Sequence, residues 1–156
     1  MVIEVKPETK PFLEDWPVAP EEETPITREL RECYEYLALP HGWIKGYEKK
    51  YLEKYEMYTY CSIGILGDFT NEYEDYDLAT LLVIQAIREL HPTVFKRITD
   101  TFSDYWYDSR HGVDYGGGSC SVFEYIIVNF NDDDRRRKAD VLEVFKRAIE
   151  LSKELK

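Results

Sequence analysis

This sequence predicts a mostly α fold, a single-domain bundle of roughly five or six helices around a central apolar helix at about residues 77–90. Three observations carry that prediction. Apolar residues recur at helical spacing in several separate stretches, the stretch 77–90 is apolar on nearly every side, and strand signals are few. The 156 residues fit one domain, and 44% hydrophobic against 33% charged is the balance of a folded chain. A chain of this length buries roughly 70% of its unfolded surface, so its core needs neither metal nor disulfide.

Residues 1–23 read as an acidic, proline-containing tail ahead of a single helical domain at 24–156. They hold Pro7, Pro11, Pro17 and Pro20, a spacing that opposes a helix. Seven acids stand there against Lys6 and Lys10. Phe12, Leu13 and Trp16 are the side chains able to pin this arm onto the domain. A first helix follows at 25–38. Thr24 suits its cap and Pro25 its first position. Ile26, Leu30, Cys33, Tyr34 and Leu37 form one stripe, with Arg28, Glu29, Arg31, Glu32 and Glu35 mainly opposite. Pro40 and Gly42 end it.

Residues 43–60 are ambiguous. Tyr47, Tyr51 and Tyr55 recur every four residues, as in a short helix, whereas Tyr58-Thr59-Tyr60 prefers a strand, so a short hairpin is the other option. Residues 61–70 read as a short helix with Ile65, Leu66 and Phe69 on one face. Gly64 and Gly67 weaken it by about 1 kcal/mol each, which implies a neighbour pressed against the glycine face. After 77–90, Pro92 opens a helix to about 107 with Val94, Phe95, Ile98, Phe102, Tyr105 and Trp106 on its apolar face. A glycine-rich loop spans 108–118. Ser121 and Glu124 make a capping-box pattern that favours helix over strand for the apolar run 122–130. Asn131–Asp134 reads as a turn, and a final helix runs from about Lys138 to Leu155 with Val141, Leu142, Phe145, Ala148, Ile149 and Ser152 inward.

The net charge of −11 disfavours nucleic-acid phosphates and anionic membranes. The one basic run, Arg135–Lys138, directly follows Asp132–Asp134 and is locally cancelled. The sequence shows no secretory signal and no apolar run approaching the ~20 residues of a membrane span. Cys33, Cys61 and Cys120 form no CxxC pair, so no disulfide framework or zinc site is indicated and a reducing cytoplasm is expected.

Three segments stand out together: His41-Gly42-Trp43-Ile44-Lys45-Gly46, Tyr60-Cys61-Ser62-Ile63-Gly64-Ile65-Leu66, and Phe130-Asn131-Asp132 ahead of Val141-Leu142, Phe145 and Ala148-Ile149. In order and spacing they resemble a family of small proteins of unknown function found in phages and in actinobacteria. That family shows Gly-Trp-x-x-Gly, Cys-x-x-Gly-Ala-Leu and Trp-Asn-Asp before a closing helix. Ile65 stands here at its Ala and Phe130 at its Trp. The resemblance covers about residues 25–152. It implies a phage or bacterial cytoplasmic setting, the host's if phage-encoded, and brings no established activity. Within it Trp43, Gly46, Cys61, Gly64, Asn131 and Asp132 are read as structural motif residues.

Four places could carry function. Cys61 begins a helix, where a thiolate is favoured, and His41 or His111 could act as its base with Asn131 or Asp132 orienting the imidazole. The plainer reading is a small buried thiol, with Gly64 allowing close approach. The loop 108–118, with Asp108, Arg110, His111 and Asp114 before Gly116–Gly118, could hold an anion at a helix start, but it lacks Gly-Lys-Ser/Thr and reads as a connector. Asn131–Asp134 lacks calcium-loop spacing and reads as a capping turn, and no metal or cofactor is expected. Finally, seven of the 13 tyrosines fall between Tyr47 and Tyr76. Tyr47, Tyr51, Tyr55, Tyr73 and Tyr76, with Glu72 and Glu74, could present a negative aromatic face to a basic protein partner.

The leading expectation is therefore a small acidic cytoplasmic interaction protein, phage-encoded or phage-derived, acting on a host or phage protein. A cysteine-dependent hydrolase or transferase on Cys61 is the alternative. A nucleic-acid mimic, with carboxylates in rows, is a further one.

Overall fold

A computed structural model describes residues 23–110 and 122–155, apart from the side chains of 102–110. The acidic tail short of Glu23, the loop residues His111 to Gly118, Cys120 and the Ser121 cap lie outside the described residues. So do the side chains of Phe102, Tyr105 and Trp106.

Helix α1 spans Pro25–Ala38. Thr24 Oγ1 accepts from Thr27 N at 3.4 Å, satisfying one of the N–H groups that a helix start leaves free. The stripe Ile26, Leu30, Cys33, Tyr34 and Leu37 is buried, as its spacing requires. The opposite charged face is not all solvated, since Glu29 and Glu35 are buried as well. Glu35 is held by Arg31, which also takes Glu23 at 2.7 Å.

The ambiguous stretch is a hairpin, not a helix. Strand β1 (Lys49–Leu52) pairs antiparallel with β2 (Met57–Tyr60), Tyr51 opposite Tyr58. A single helical turn at Glu53–Tyr55 and Glu56 at φ 50° close the bend. The four-residue tyrosine spacing misleads because Tyr51 lies in the strand and Tyr55 in the turn. β2 gains a second neighbour where Trp43 forms a parallel bridge to Tyr60. The rings of Tyr36 and Phe69 meet edge-on at 5.3 Å, and Tyr60 meets them at 5.3 and 5.8 Å, tying the hairpin base to α1 and the following helix.

Helix α2 is Ser62–Phe69. Among the described residues, only one of its glycines has a neighbour pressed against it: a Cβ on Gly64 would strike the Glu48 carbonyl, whereas none of them lies within 4 Å of one on Gly67. Helix α3 begins earlier than its apolar run suggests, at Tyr73, and continues to Leu90. Its exposed stripe runs along Asp77, Leu81, Gln85 and Arg88, its two ends (Tyr73–Glu74 and Glu89–Leu90) are exposed too, and the rest of its surface packs against all five other helices, so it is the centre of the domain. Helix α4 spans Pro92–Arg110 and α5 spans Val122–Asp132. The expected turn at Asn131–Asp132 is thus the last turn of α5. Helix α6 (Lys138–Lys153) closes against α1 and α3, where Thr27 and Ser152 share a 2.6 Å hydrogen bond.

The basic run at the start of α6 is split between surface and interior: Arg135 and Arg137 are exposed, but Arg136 and Lys138 turn inward. Arg136 is 8% exposed, donates to Phe130 O at 2.9 Å and lies 3.7 Å over the Phe130 ring, while Lys138 donates to Leu39 O. Among the described residues, no helix is long and apolar enough to cross a membrane.

Candidate functional site

The three motif segments meet around one side chain. Asn131 is fully buried at the end of α5. Its Oδ1 accepts from Trp43 Nε1 at 2.7 Å, Ser62 N at 3.0 Å and Ser62 Oγ at 2.7 Å. Its Nδ2 donates to Ile44 O and to Asp132 Oδ1, both at 3.0 Å. An indole N–H and a backbone N–H can only donate, so the carboxamide has one possible orientation. Asp132 Oδ1 also accepts from Gly46 N at 3.0 Å, with Gly46 at φ +81°, and Lys45 donates to Asp133 O at 2.7 Å. The hairpin entrance, the start of α2 and the end of α5 are therefore one hydrogen-bonded unit.

Cys61 caps α2. Its Sγ accepts from Gly64 N at 3.4 Å, and its own N–H donates to Glu48 O at 3.2 Å. The residue is 4% exposed. Burial pushes the thiol above its ordinary range, and the carboxylates of Asp132 and Glu48 add to that, outweighing the helix-start N–H groups. The activation expected from the helix N-terminus is thus reversed. His41 stacks on Tyr55 with centroids 3.7 Å apart. His111 lies outside the described residues. Asn131 and Asp132, the suggested orienting groups, are committed to Trp43, Ser62, Ile44 and Gly46.

Beside this unit opens a cleft of about 360 Å³ between the hairpin entrance, α2, α3 and α5. Tyr47 and Tyr76 supply aromatic wall, Ile63 and Val128 apolar wall, and Glu48, Glu124 and Asp132 carboxylates, with Cys61 also lining it. No Lys, Arg or His is among these lining residues. Burial and the Glu124 carboxylate, to which it hydrogen-bonds, push the Tyr76 phenol far above its ordinary range, so it is a neutral donor.

The tyrosine face expected over 47–76 is divided by the fold. Tyr47, Tyr51, Tyr55 and Tyr58 are exposed around the hairpin, and Tyr73 is 79% exposed at the start of α3 beside exposed Glu72 and Glu74. Tyr76 is half-buried and turns into the cleft. The hairpin rings are not set in a negative field. Lys49 lies 4.4 Å from the Tyr58 ring, Lys50 4.9 Å from Tyr47 and Lys54 5.5 Å from Tyr55. The acidic character concentrates instead in the cleft and at the start of α3.

Sequence reasoning missed Glu48 and Glu124 as partners of Tyr76, because they come from segments far apart in the chain. The signal available was only that Glu48 and Asp132 each sit one or two residues from a motif glycine or asparagine. No curated protein and no solved structure matches the chain. The motif segments at Trp43, Cys61 and Asn131 all fall within residues 21–151, which match the model described as a family of unknown function (DUF6197), and the chain belongs to that family.

Proposed function

We propose that the chain is a non-enzymatic protein-binding module whose cleft takes a basic side chain of a partner protein. The observation that carries the reading is the cleft wall itself, with two tyrosines and three carboxylates and no cation among them. A guanidinium or ammonium entering it meets opposite charge at Glu48, Glu124 and Asp132 and a π-face at Tyr47 or Tyr76. The Asn131 unit supports this role by fixing the hairpin entrance to α5, so that the walls are preformed and little ordering is lost on binding. The raised Cys61 thiol and its place as a helix cap favour a structural role over a nucleophilic one. The setting we propose is cytoplasmic, with a host or phage protein as partner.

The test is an NMR titration of the labelled protein with short acetylated Arg- and Lys-containing peptides, with Glu-containing peptides as controls. Shifts confined to Tyr47, Ile63, Tyr76 and Val128, seen only with the basic peptides and weakened by salt, support the reading. A double Glu48→Gln, Glu124→Gln variant should bind about tenfold more weakly. Equal response to acidic and basic peptides, or shifts that spare the cleft, would overturn it.

A further inference from the structure

Glu29 of α1 is a carboxyl group in an unusual place. It is 1% exposed. Its Oε1 accepts from Asn71 N at 3.1 Å, in the connector between α2 and α3, while its Oε2 is buried without a donor among the described residues. The Asp75 carboxyl, in the first turn of α3, faces it within hydrogen-bonding reach. Two carboxylates in that position offer only acceptors to each other and repel; with one proton between them, the orphaned oxygen becomes a donor and the contact closes.

We infer that Glu29 holds a proton and donates it from Oε2 to Asp75, making a proton-dependent latch that clamps the first turn of α3 to α1. The proton belongs on Glu29 because it is the more deeply buried of the two carboxyls, and the one hydrogen-bond donor to it among the described residues is the Asn71 N–H. Burial is the largest influence raising its proton affinity, and the Asp75 charge adds to it. Arg28, exposed on the same helix, opposes weakly. Around the same connector, Arg28, Glu32 and Asp68 of α1 and α2 line a small hollow with Asn71. A proton-affinity raised by folding means that the folded chain binds more protons than the unfolded chain. Stability from the latch is full below the ordinary glutamate range and is lost as pH rises through Glu29's own, higher midpoint.

The latch is independent of what the cleft binds, and its test reads the carboxyl directly. Carbon-detected NMR of the full chain should show Glu29 titrating above all exposed glutamates. Asp75→Asn, which removes the facing charge and offers an amide donor, should lower that midpoint. Glu29→Gln keeps a donor at the Oε2 position and an acceptor at Oε1, so it should preserve the hydrogen-exchange protection of the Asn71 amide. Its melting temperature should gain on the wild type progressively as pH rises. An ordinary Glu29 midpoint in the wild type, a midpoint unmoved by Asp75→Asn, or a pH-independent difference between Glu29→Gln and wild type would overturn the inference.

Discussion

Removing the Asn131 carboxamide strands the buried N–H and hydroxyl of Ser62 and the part-buried Trp43 N–H and Ile44 carbonyl. Each unsatisfied buried group costs about 1–3 kcal/mol, and the residue left behind cannot rotate to recover them. Asn131→Ala should therefore lose about 3 kcal/mol or more in urea denaturation. Asn131→Asp is the sharper test. It keeps the acceptor for Trp43 and Ser62 but surrenders both N–H donations and sets a second carboxylate against Asp132. Its deficit should grow as pH rises through the carboxylate range. A near-neutral Asn131→Asp would mean that Asn131 Nδ2 does not hold Ile44 O and Asp132 Oδ1. For Cys61 the expected chemistry is inertness. Peptide-resolved alkylation should leave Cys61 unlabelled in the native protein and label it on unfolding, and Cys61→Ala should cost about 1 kcal/mol, the loss of a helix cap.

The hairpin and α2 touch through backbone, and the two glycines of α2 separate that contact from ordinary helix propensity. Gly64 lets the Glu48 carbonyl come against the helix while accepting the Cys61 N–H. Gly64→Ala adds a methyl group where only backbone could yield, so it should destabilise by about 2 kcal/mol or more, against the usual gain from replacing glycine. No described residue crowds Gly67, and Gly67→Ala should stabilise by up to about 1 kcal/mol. Thermal melts of the two variants should move in opposite directions. If Gly64→Ala also stabilises, the hairpin entrance does not sit on α2.

Across the whole molecule the net charge of −11 implies self-repulsion. Raising ionic strength from low to physiological values should raise the melting temperature, because the repulsive pairs outnumber the attractive ones and both are screened. His91, at the joint of α3 and α4, sets an acid-side limit. Its Nε2 is buried without a partner among the described residues, and its ring lies 5.0 Å from Phe130. Burial, then Arg136, hold the imidazole below its ordinary range, with Asp140 and Glu143 opposing. A lowered value means the unfolded chain takes the proton more readily. The stability involved is full above about pH 6.5 and is lost as pH falls through the lowered value. Replacing the ring by Phe removes the titration, so His91→Phe should gain on the wild type as pH falls below about 6.5. A difference constant with pH would count against it.

The sequence by itself determined the helices and their order. The stripe of α1, the all-round apolarity of α3 and the Thr24 and Pro25 start are local signals, fixed by 3.6-residue periodicity and by which residues satisfy free N–H groups. It also singled out Trp43, Gly46, Cys61, Gly64, Asn131 and Asp132 as belonging together, though not how. Only the tertiary structure decided that Tyr51 lies in a strand, that Asn131 ends a helix and accepts from two distant segments, and that Glu29 faces Asp75. It also decided that burial, not the helix start, governs the Cys61 thiol. These are consequences of what lies across a few ångströms of space, and desolvation, facing charges and hydrogen-bond partners depend on that distance and not on separation along the chain.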